Sequence, residues 1–428
     1  MAMFEKKIPS GRMLTYSLVF VFCAFLLIAV PKGQAVDTEY EQPPELKAST
    51  ILKPELVKGK YYTVEDRVIN DGLYNHYKVT SPFGNFQAGS TNSLKILVNE
   101  INAIAAMKQV ETDDTAVASL KKSGENTVAG VKNLFTDPQG TLEGAATGVG
   151  SLFNRAKETV GRRTPTGAED SRFEQFIGVS KSKGIIATRY GVNVYSRNKI
   201  LQEELDRLGQ ADYLGGLGVG VATSFVPGVG GLIVSTSGTA RLLNEAINTT
   251  PASELWLQNK NKLLAMGSDE DTIELFLNNP VFTPALATVL VTALDSMKGV
   301  ANRELFIKIG LQASDPNMAR MITEMTVMAA GYHKNIAPLK GFAPMARLAR
   351  AERPDGSVVV VLPTDYIIWS ERVASVADDM VQKGKTDKAA GFEIWTLGTF
   401  SDKARSALSS LGWQVHEQVR NDLIPKEK

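Results

Sequence analysis

Tyr213 to Ala240 runs for 28 residues without a charge, bracketed by Asp212 and Arg241, and eight of those residues are glycine. Glycine costs about 1 kcal/mol relative to alanine in a water-exposed helix, so an ordinary surface helix does not carry this many. Glycine does let backbones approach closely, above all in lipid. Pro227-Gly228 divides the stretch into halves of about 13 residues, each too short to cross a bilayer alone. Three states satisfy these constraints: a helical hairpin buried in a bundle, a hairpin inserted in a membrane, and a ligand pocket lined by backbone. The buried hairpin asks least of the sequence. Gly215, Gly218, Gly228 and Gly231 are its candidate membrane or partner contacts. A second stretch, 124–163, sets Gly140, Gly144 and Gly148 four apart on one helical face, ahead of an apolar stripe with Arg155, Lys157, Arg162 and Arg163 nearby. A basic amphipathic helix of this kind lies in a membrane interface, or packs on a sheet or partner helix, and the stretch also suits a flexible tether.

The N-terminus has the order of a secretory signal peptide. Lys6, Lys7 and Arg12 precede an uncharged run from Met13 to Val30, and small residues follow at Gly33 and Ala35. An uncleaved anchor is the alternative, since 18 mostly apolar residues can just span a bilayer. Cleavage after Ala35 leaves 393 of the 428 residues and removes four basic residues and one acid, taking the formal charge from +1 to −2. It also removes Cys23, the single cysteine. Thiol nucleophiles, disulfides and thiolate metal sites are then excluded together. Near-zero charge argues against nucleic-acid binding.

Five sections follow from composition and period. Residues 1–35 are the signal peptide, and 36–60, with Pro43, Pro44 and Pro54, read as a linker. Residues 61–165 hold a small antiparallel meander, with breaks at Asp71-Gly72 and Pro82-Gly84, then amphipathic helices starting with Leu94, Leu97, Val98, Ile101 and Ile104, with Thr91 to Ser93 available as caps. Residues 166–340 read as a helical bundle. Thr249-Thr250-Pro251, Ser268 to Asp271 and Asp315-Pro316 mark helix starts, while Gly267 and Asn278-Asn279-Pro280 mark ends. Residues 341–428 read ββαβαβ, a small α/β domain with a hairpin at Pro354-Asp355-Gly356 and parallel strands across its crossovers. The fold class expected is α+β, mainly α: an N-terminal meander, a central bundle containing the glycine-rich hairpin, and a C-terminal mixed α/β domain.

Catalytic patterns are mostly refused. His76, His333 and His416 are the only histidines, in three different sections and without metal-ligand spacing. His333 is the best lone base, and His416 reads as solvent-facing on the last strand. The glycines at 216, 218 and 228 miss the dinucleotide fingerprint, and Gly384-Lys385-Thr386 lacks the rest of a P-loop. Ser119/Lys122 and Ser180/Lys183 have Ser–Lys spacing without the accompanying motifs. Asp269, Glu270 and Asp271 suit a helix N-terminus, and Met318, Met321, Met325 and Met328 suit a core. No metal and no cofactor is expected. Gly398, Thr399 and Ser401 form a strand-to-helix turn of the kind that holds an anion, and they are the weak anion-site candidate.

Tyr190 to Tyr195 (Tyr-Gly-Val-Asn-Val-Tyr) and Leu277 to Pro284 (Leu-Asn-Asn-Pro-Val-Phe-Thr-Pro) resemble segments of a family of exported Gram-negative bacterial proteins. The resemblance covers about the middle half of the chain and brings neither catalytic residues nor a described activity. It implies a location in the periplasm or cell envelope.

The expectation for function is a non-enzymatic envelope protein with a membrane-associating, binding or structural role, its partner a membrane surface or an envelope protein. The alternatives are a periplasmic hydrolase with its site where the bundle meets the α/β domain, and a secreted pore-forming or toxin-like protein. Nothing in the sequence fixes an oligomeric state.

Overall fold

Alternation builds the first layer. In the strand Asn75–Ser81, Asn75, Tyr77 and Val79 are buried while His76, Lys78 and Thr80 are exposed, the period of a sheet with one covered face. The computed structural model describes residues 40–110, 167–214, 238–345 and 348–424. Its first elements are β1 (Glu45–Lys47), α1 (Ala48–Ile51), α2 (Pro54–Val57), β2 (Lys58–Gly59), β3 (Tyr62–Val64), β4 (Arg67–Asn70), β5 (Asn75–Ser81) and β6 (Gly84–Ala88). The strand order is β1-β4-β5-β3-β2, with β6 also on β5, and each of these pairings is antiparallel.

The meander is present, but the linker expected at 36–60 is folded from Tyr40 onward. Leu46 of β1 pairs with Val68 of β4, and Ala48 is fully buried. A three-residue strand has too little periodicity to announce itself and takes its hydrogen bonds from an edge formed elsewhere in the chain.

Helix α3 (Thr91–Met107) covers this sheet. Its cap is Ser90, one residue before the expected position, whose side chain accepts the Ser93 N–H at 3.0 Å. Leu94, Leu97, Val98 and Ile101 pack against Val64, Val68, Tyr77 and Val79. One turn on, Ala103, Ile104 and Met107 join a different core, with Ile186, Leu201, Leu205 and Leu208. Full burial of each large aliphatic side chain contributes about 1.5–3 kcal/mol, so α3 is a structural axis shared by the sheet and the bundle.

The bundle contains α4 (Gly167–Arg189), α5 (Lys199–Tyr213), α6 (Gly238–Thr249), α7 (Ala252–Ala265), α8 (Glu270–Leu277), α9 (Pro284–Ser296), α10 (Leu305–Gly310) and α11 (Pro316–Asn335). The expected breakers act as read. Asp269 caps α8 by accepting the Thr272 N–H at 2.8 Å, and Asp315 caps α11 by accepting from Asn317 and Met318. Close backbone approach occurs at Gly184 and Gly331, where a Cβ would lie 2.0 Å from the Asn248 and Leu423 carbonyl oxygens respectively. Arg197 joins two turns by donating to the Pro280 and Val281 carbonyls at 2.8 and 2.9 Å. Met325 and Met328 are core residues, with Met318 and Met321 packed at its margin.

The C-terminal section is β7 (Gly341–Met345), β8 (Leu348–Glu352), β9 (Val358–Leu362), β10 (Tyr366–Ile367), α12 (Glu371–Asp387), β11 (Phe392–Thr396), β12 (Thr399–Phe400), α13 (Asp402–Ser410), β13 (Trp413–His416) and α14 (Arg420–Leu423). The main sheet has the order β13-β11-β9-β8-β7. The helical crossovers place β9, β11 and β13 parallel, and the hairpins place β7, β8 and β9 antiparallel. Val358 to Val361 are all buried, because both faces are covered. Val358 and Val360 pack with Met380, Val381, Ala404 and Leu408 under α12 and α13. Val359, Val361 and Trp395 enter one core with Leu290, Ile322, Met325 and Met328. The division at 340/341 is therefore a change of secondary structure and not a gap between cores.

The signal-peptide section 1–35, the helical pieces of 124–163 and residues 215–237 lie outside the described residues. So do the candidate contacts Gly140, Gly144, Gly148, Gly215, Gly218, Gly228 and Gly231. Among the described residues, no helix is long and apolar enough to cross a membrane.

Candidate functional site

One face of α11 changes character along its length. Arg320, Thr323, Glu324, Val327 and Met328 fall at helical spacing and line a single cleft, polar at the N-terminal end and apolar beyond it. Leu286 and Val289 of α9, Leu397 after β11, Arg420 and Ile424 at α14, and Asn92 of α3 complete the wall. The cavity measures about 20 Å³, room for a water-sized particle and not for an organic molecule.

Asn92 is the pivot of the polar end. Its amide nitrogen donates to Glu324 Oε1 at 2.6 Å, and its amide oxygen accepts from Arg420 Nη2 at 2.9 Å. The Thr323 hydroxyl donates to the Ala319 carbonyl within its own helix. Arg320 Nη1 is buried and has no hydrogen-bond partner among the described residues. Burial holds the Glu324 carboxyl above the usual carboxylate range, against the pull of Arg320, Asn92 and Arg420, with Asp365 adding to the rise. Burial likewise raises Glu100, opposed by hydrogen bonds from Ser196 and Asn198 and by the Arg320 charge. It lowers Lys95, which also feels Arg420.

Asp365 sits between this cluster and the first sheet. Its carboxylate accepts from the Asn75 and Thr91 backbone N–H groups, each at 3.0 Å from Oδ2. Burial raises its pKa against those same donors and Lys95. The Tyr74 hydroxyl is buried without a partner among the described residues; burial, and then the Glu324 and Asp365 charges, push it well up.

Of the candidate turn Gly398-Thr399-Ser401, Ser401 meets a carboxylate of the chain itself, that of Glu41, while Gly398 and Thr399 face the Asp365 carbonyl. Ser401 caps α13 by accepting the Ala404 N–H at 3.0 Å, and its hydroxyl donates to Glu41 Oε2. The Trp369 N–H donates to the same oxygen at 2.6 Å. Thr399 donates its N–H to the Asp365 carbonyl at 3.1 Å. Gly398 is pressed against that carbonyl, where a Cβ would fall 1.9 Å from the oxygen.

The histidines stay apart. His76 is exposed and meets Asp71 at 2.8 Å. His333 Nδ1 accepts the Leu339 N–H at 3.0 Å. His416 is not solvent-facing as its alternation suggests: its ring stacks on Trp395 at 3.9 Å and 13°, and its Nε2 is buried. The last strand pairs in parallel beside β11, which brings the two rings together. Lys183 is ion-paired with Asp206 at 2.6 Å, while Ser180 is exposed. Among the described residues, no three His, Cys, Asp or Glu side chains converge on a metal position.

Asn92, Arg320, Glu324 and Arg420 were not legible as a set, being spread over α3, α11 and α14. One local signal was available: Arg320 and Glu324 lie on the same helical face as Met328, a charged pair at i and i+4 continuing into a core stripe. No protein-family model matches the chain, and no curated protein or solved structure matches it either.

Proposed function

We propose that this protein is an exported, non-enzymatic component of a Gram-negative cell envelope, with a binding or structural role. The observation that carries the reading is the use of charge at the bundle–sheet junction: Asn92 bonds both Glu324 and Arg420 beside a cavity of about 20 Å³. Side chains locked together in this way serve rigidity and selective contact better than turnover of an organic substrate. The buried carboxylate of Glu393 and the half-buried one of Glu41 follow the same logic. Glu393 accepts from Tyr332, Arg353 and Trp395, and Glu41 accepts from Trp369 and Ser401, each joining remote segments. Export rests on the N-terminal pattern, and membrane association on the neutral glycine-rich stretch.

A periplasmic hydrolase at the junction is the second reading. The raised Glu324 carboxyl favours it, because a general acid must hold its proton near the working pH.

Fractionation of a Gram-negative host producing the full chain tests the first reading. The expected outcome is a product shortened by 35 residues, in the periplasmic or membrane fraction. Full-length protein in the cytoplasm overturns it. Assays with p-nitrophenyl ester, phosphate and glycoside probes test the second: turnover abolished by Glu324→Gln would replace the non-enzymatic reading.

A further inference from the structure

Arg320 Nη1 is a buried donor without an acceptor among the described residues. A guanidinium keeps its protons in a folded protein, and a buried N–H left unsatisfied is destabilising. Arg320 also lines the small cavity between α11, α9 and α14, so that cavity is where an acceptor can come from.

The chemistry of the wall selects the occupant. A volume of about 20 Å³ holds one water-sized particle and excludes a nucleotide, a sugar or an amino acid. The Glu324 carboxylate on the wall repels an anion, while Arg320 and Arg420 repel a cation. A particle that both accepts and donates is what remains, and the wall offers it both kinds of partner. Arg320 Nη1 is the donor. Glu324 is an acceptor: its Oε1 takes the Asn92 amide, and a carboxylate has lone pairs for further bonds. The Thr323 hydroxyl gives its proton to the Ala319 carbonyl, so toward the cavity it too accepts. A buried water needs two to four polar partners, and these three meet the count.

We propose that the cleft between α11, α9 and α14 is a site for one ordered water, which accepts from Arg320 Nη1 and donates to the Glu324 carboxylate. Both side chains stand on α11, one turn apart, so the water fixes each relative to the other. Glu324 in turn holds Asn92 of α3, and Asn92 holds Arg420 of α14. The water is thus the piece that brings Arg320 into the run of contacts joining α11, α3 and α14. This inference does not depend on where the protein resides or on whether it has an activity.

Crystals of the unaltered protein that diffract far enough to show solvent test this directly. The expected result is a peak within about 3.2 Å of both Arg320 Nη1 and a Glu324 oxygen, without anomalous signal after a bromide soak. A dry cavity, or bromide in that place, overturns the proposal. Val289→Ile is the companion test in solution, because the added methyl group enters the same space. If it displaces a water, Arg320 loses its acceptor and the thermal midpoint should fall by about 2 °C or more. If the space is a dry void, filling it improves packing, and a risen midpoint would overturn the site. Crowding alone can also lower a midpoint, and an Arg320→Met background separates the two. There the donor is gone, so Val289→Ile should cost much less; an undiminished cost counts against the water. Should Arg320→Met fail to fold, the crystal structure decides.

Discussion

The carboxylate of Asp365, next to the short strand β10, accepts the backbone N–H of Thr91, the first residue of α3, at 3.0 Å. An ion at a helix N-terminus meets unsatisfied N–H groups and the positive end of the helix dipole. This one sits 274 residues away in sequence from the helix it stabilises, and it also holds Asn75 of the first sheet. Asp365→Asn preserves shape but turns one of the two acceptor oxygens into an amide donor, so the Asn75 and Thr91 N–H groups can no longer both be well satisfied. The expected loss is about 1–3 kcal/mol, read as a lower urea midpoint at unchanged slope. An unchanged midpoint would mean that the two regions are held together by apolar packing alone.

Glu41 and Ser401 form the other long-range tie. Ser401→Ala removes both a helix cap and a donor to Glu41, with an expected cost of about 1–2 kcal/mol. Glu41→Ala should be destabilising too. Because the two share one hydrogen bond, the double variant should be less damaged than the sum of the singles, by about 0.5 kcal/mol or more. Strict additivity would show the contact to be energetically idle.

Gly331 lies where α11 meets α14. A Cβ there would fall 2.0 Å from the Leu423 carbonyl oxygen, and backbone does not yield as a flexible side chain does. Gly331→Ala should lower stability by about 1–3 kcal/mol, despite alanine's better helix propensity. A thermal melt checks this, and any gain in stability would contradict the packing described.

Burial raises Glu100, Glu324 and Asp365 above the ordinary carboxylate range. An unfolded chain gives up these protons first as pH rises, so the folded state binds more of them between the ordinary and the raised values. The stability each contributes is therefore fully present below the ordinary carboxylate pKa and is lost as pH climbs through the raised one. Glu324→Gln removes one such group. The stability of the parent relative to this variant should fall on going from about pH 4 to about pH 7. A difference that grows over that range would reverse the sign and show that Arg320 and Arg420 outweigh burial.

What could be read from the chain was what it writes locally. β5 shows its inward and outward residues by alternation, Asp269 and Asp315-Pro316 announce helix starts, and Pro354-Asp355-Gly356 marks a hairpin. The valines of β9 suit a strand, and the structure is what shows them covered on both faces. β1 escapes such reading because it borrows the edge of β4. The stacking of His416 on Trp395 escapes it because strand alternation says which residues share a face and not what covers that face. The junction cluster escapes it for the same reason. Asn92, Glu324 and Arg420 acquire meaning only when α3, α11 and α14 meet, and no spacing within any of them encodes the meeting.

Tyr332 of α11 and Trp395 of β11 stack edge to face at 5.3 Å, inside the core that the bundle shares with the C-terminal sheet. A ribosome must therefore make the polypeptide as far as Trp395 before this core can close. Until then the helices that precede the sheet display the apolar surface destined for Val359, Val361 and Trp395. A chain truncated after α11 would carry that surface uncovered, and it would be a substrate for chaperones and proteases more than a smaller working protein.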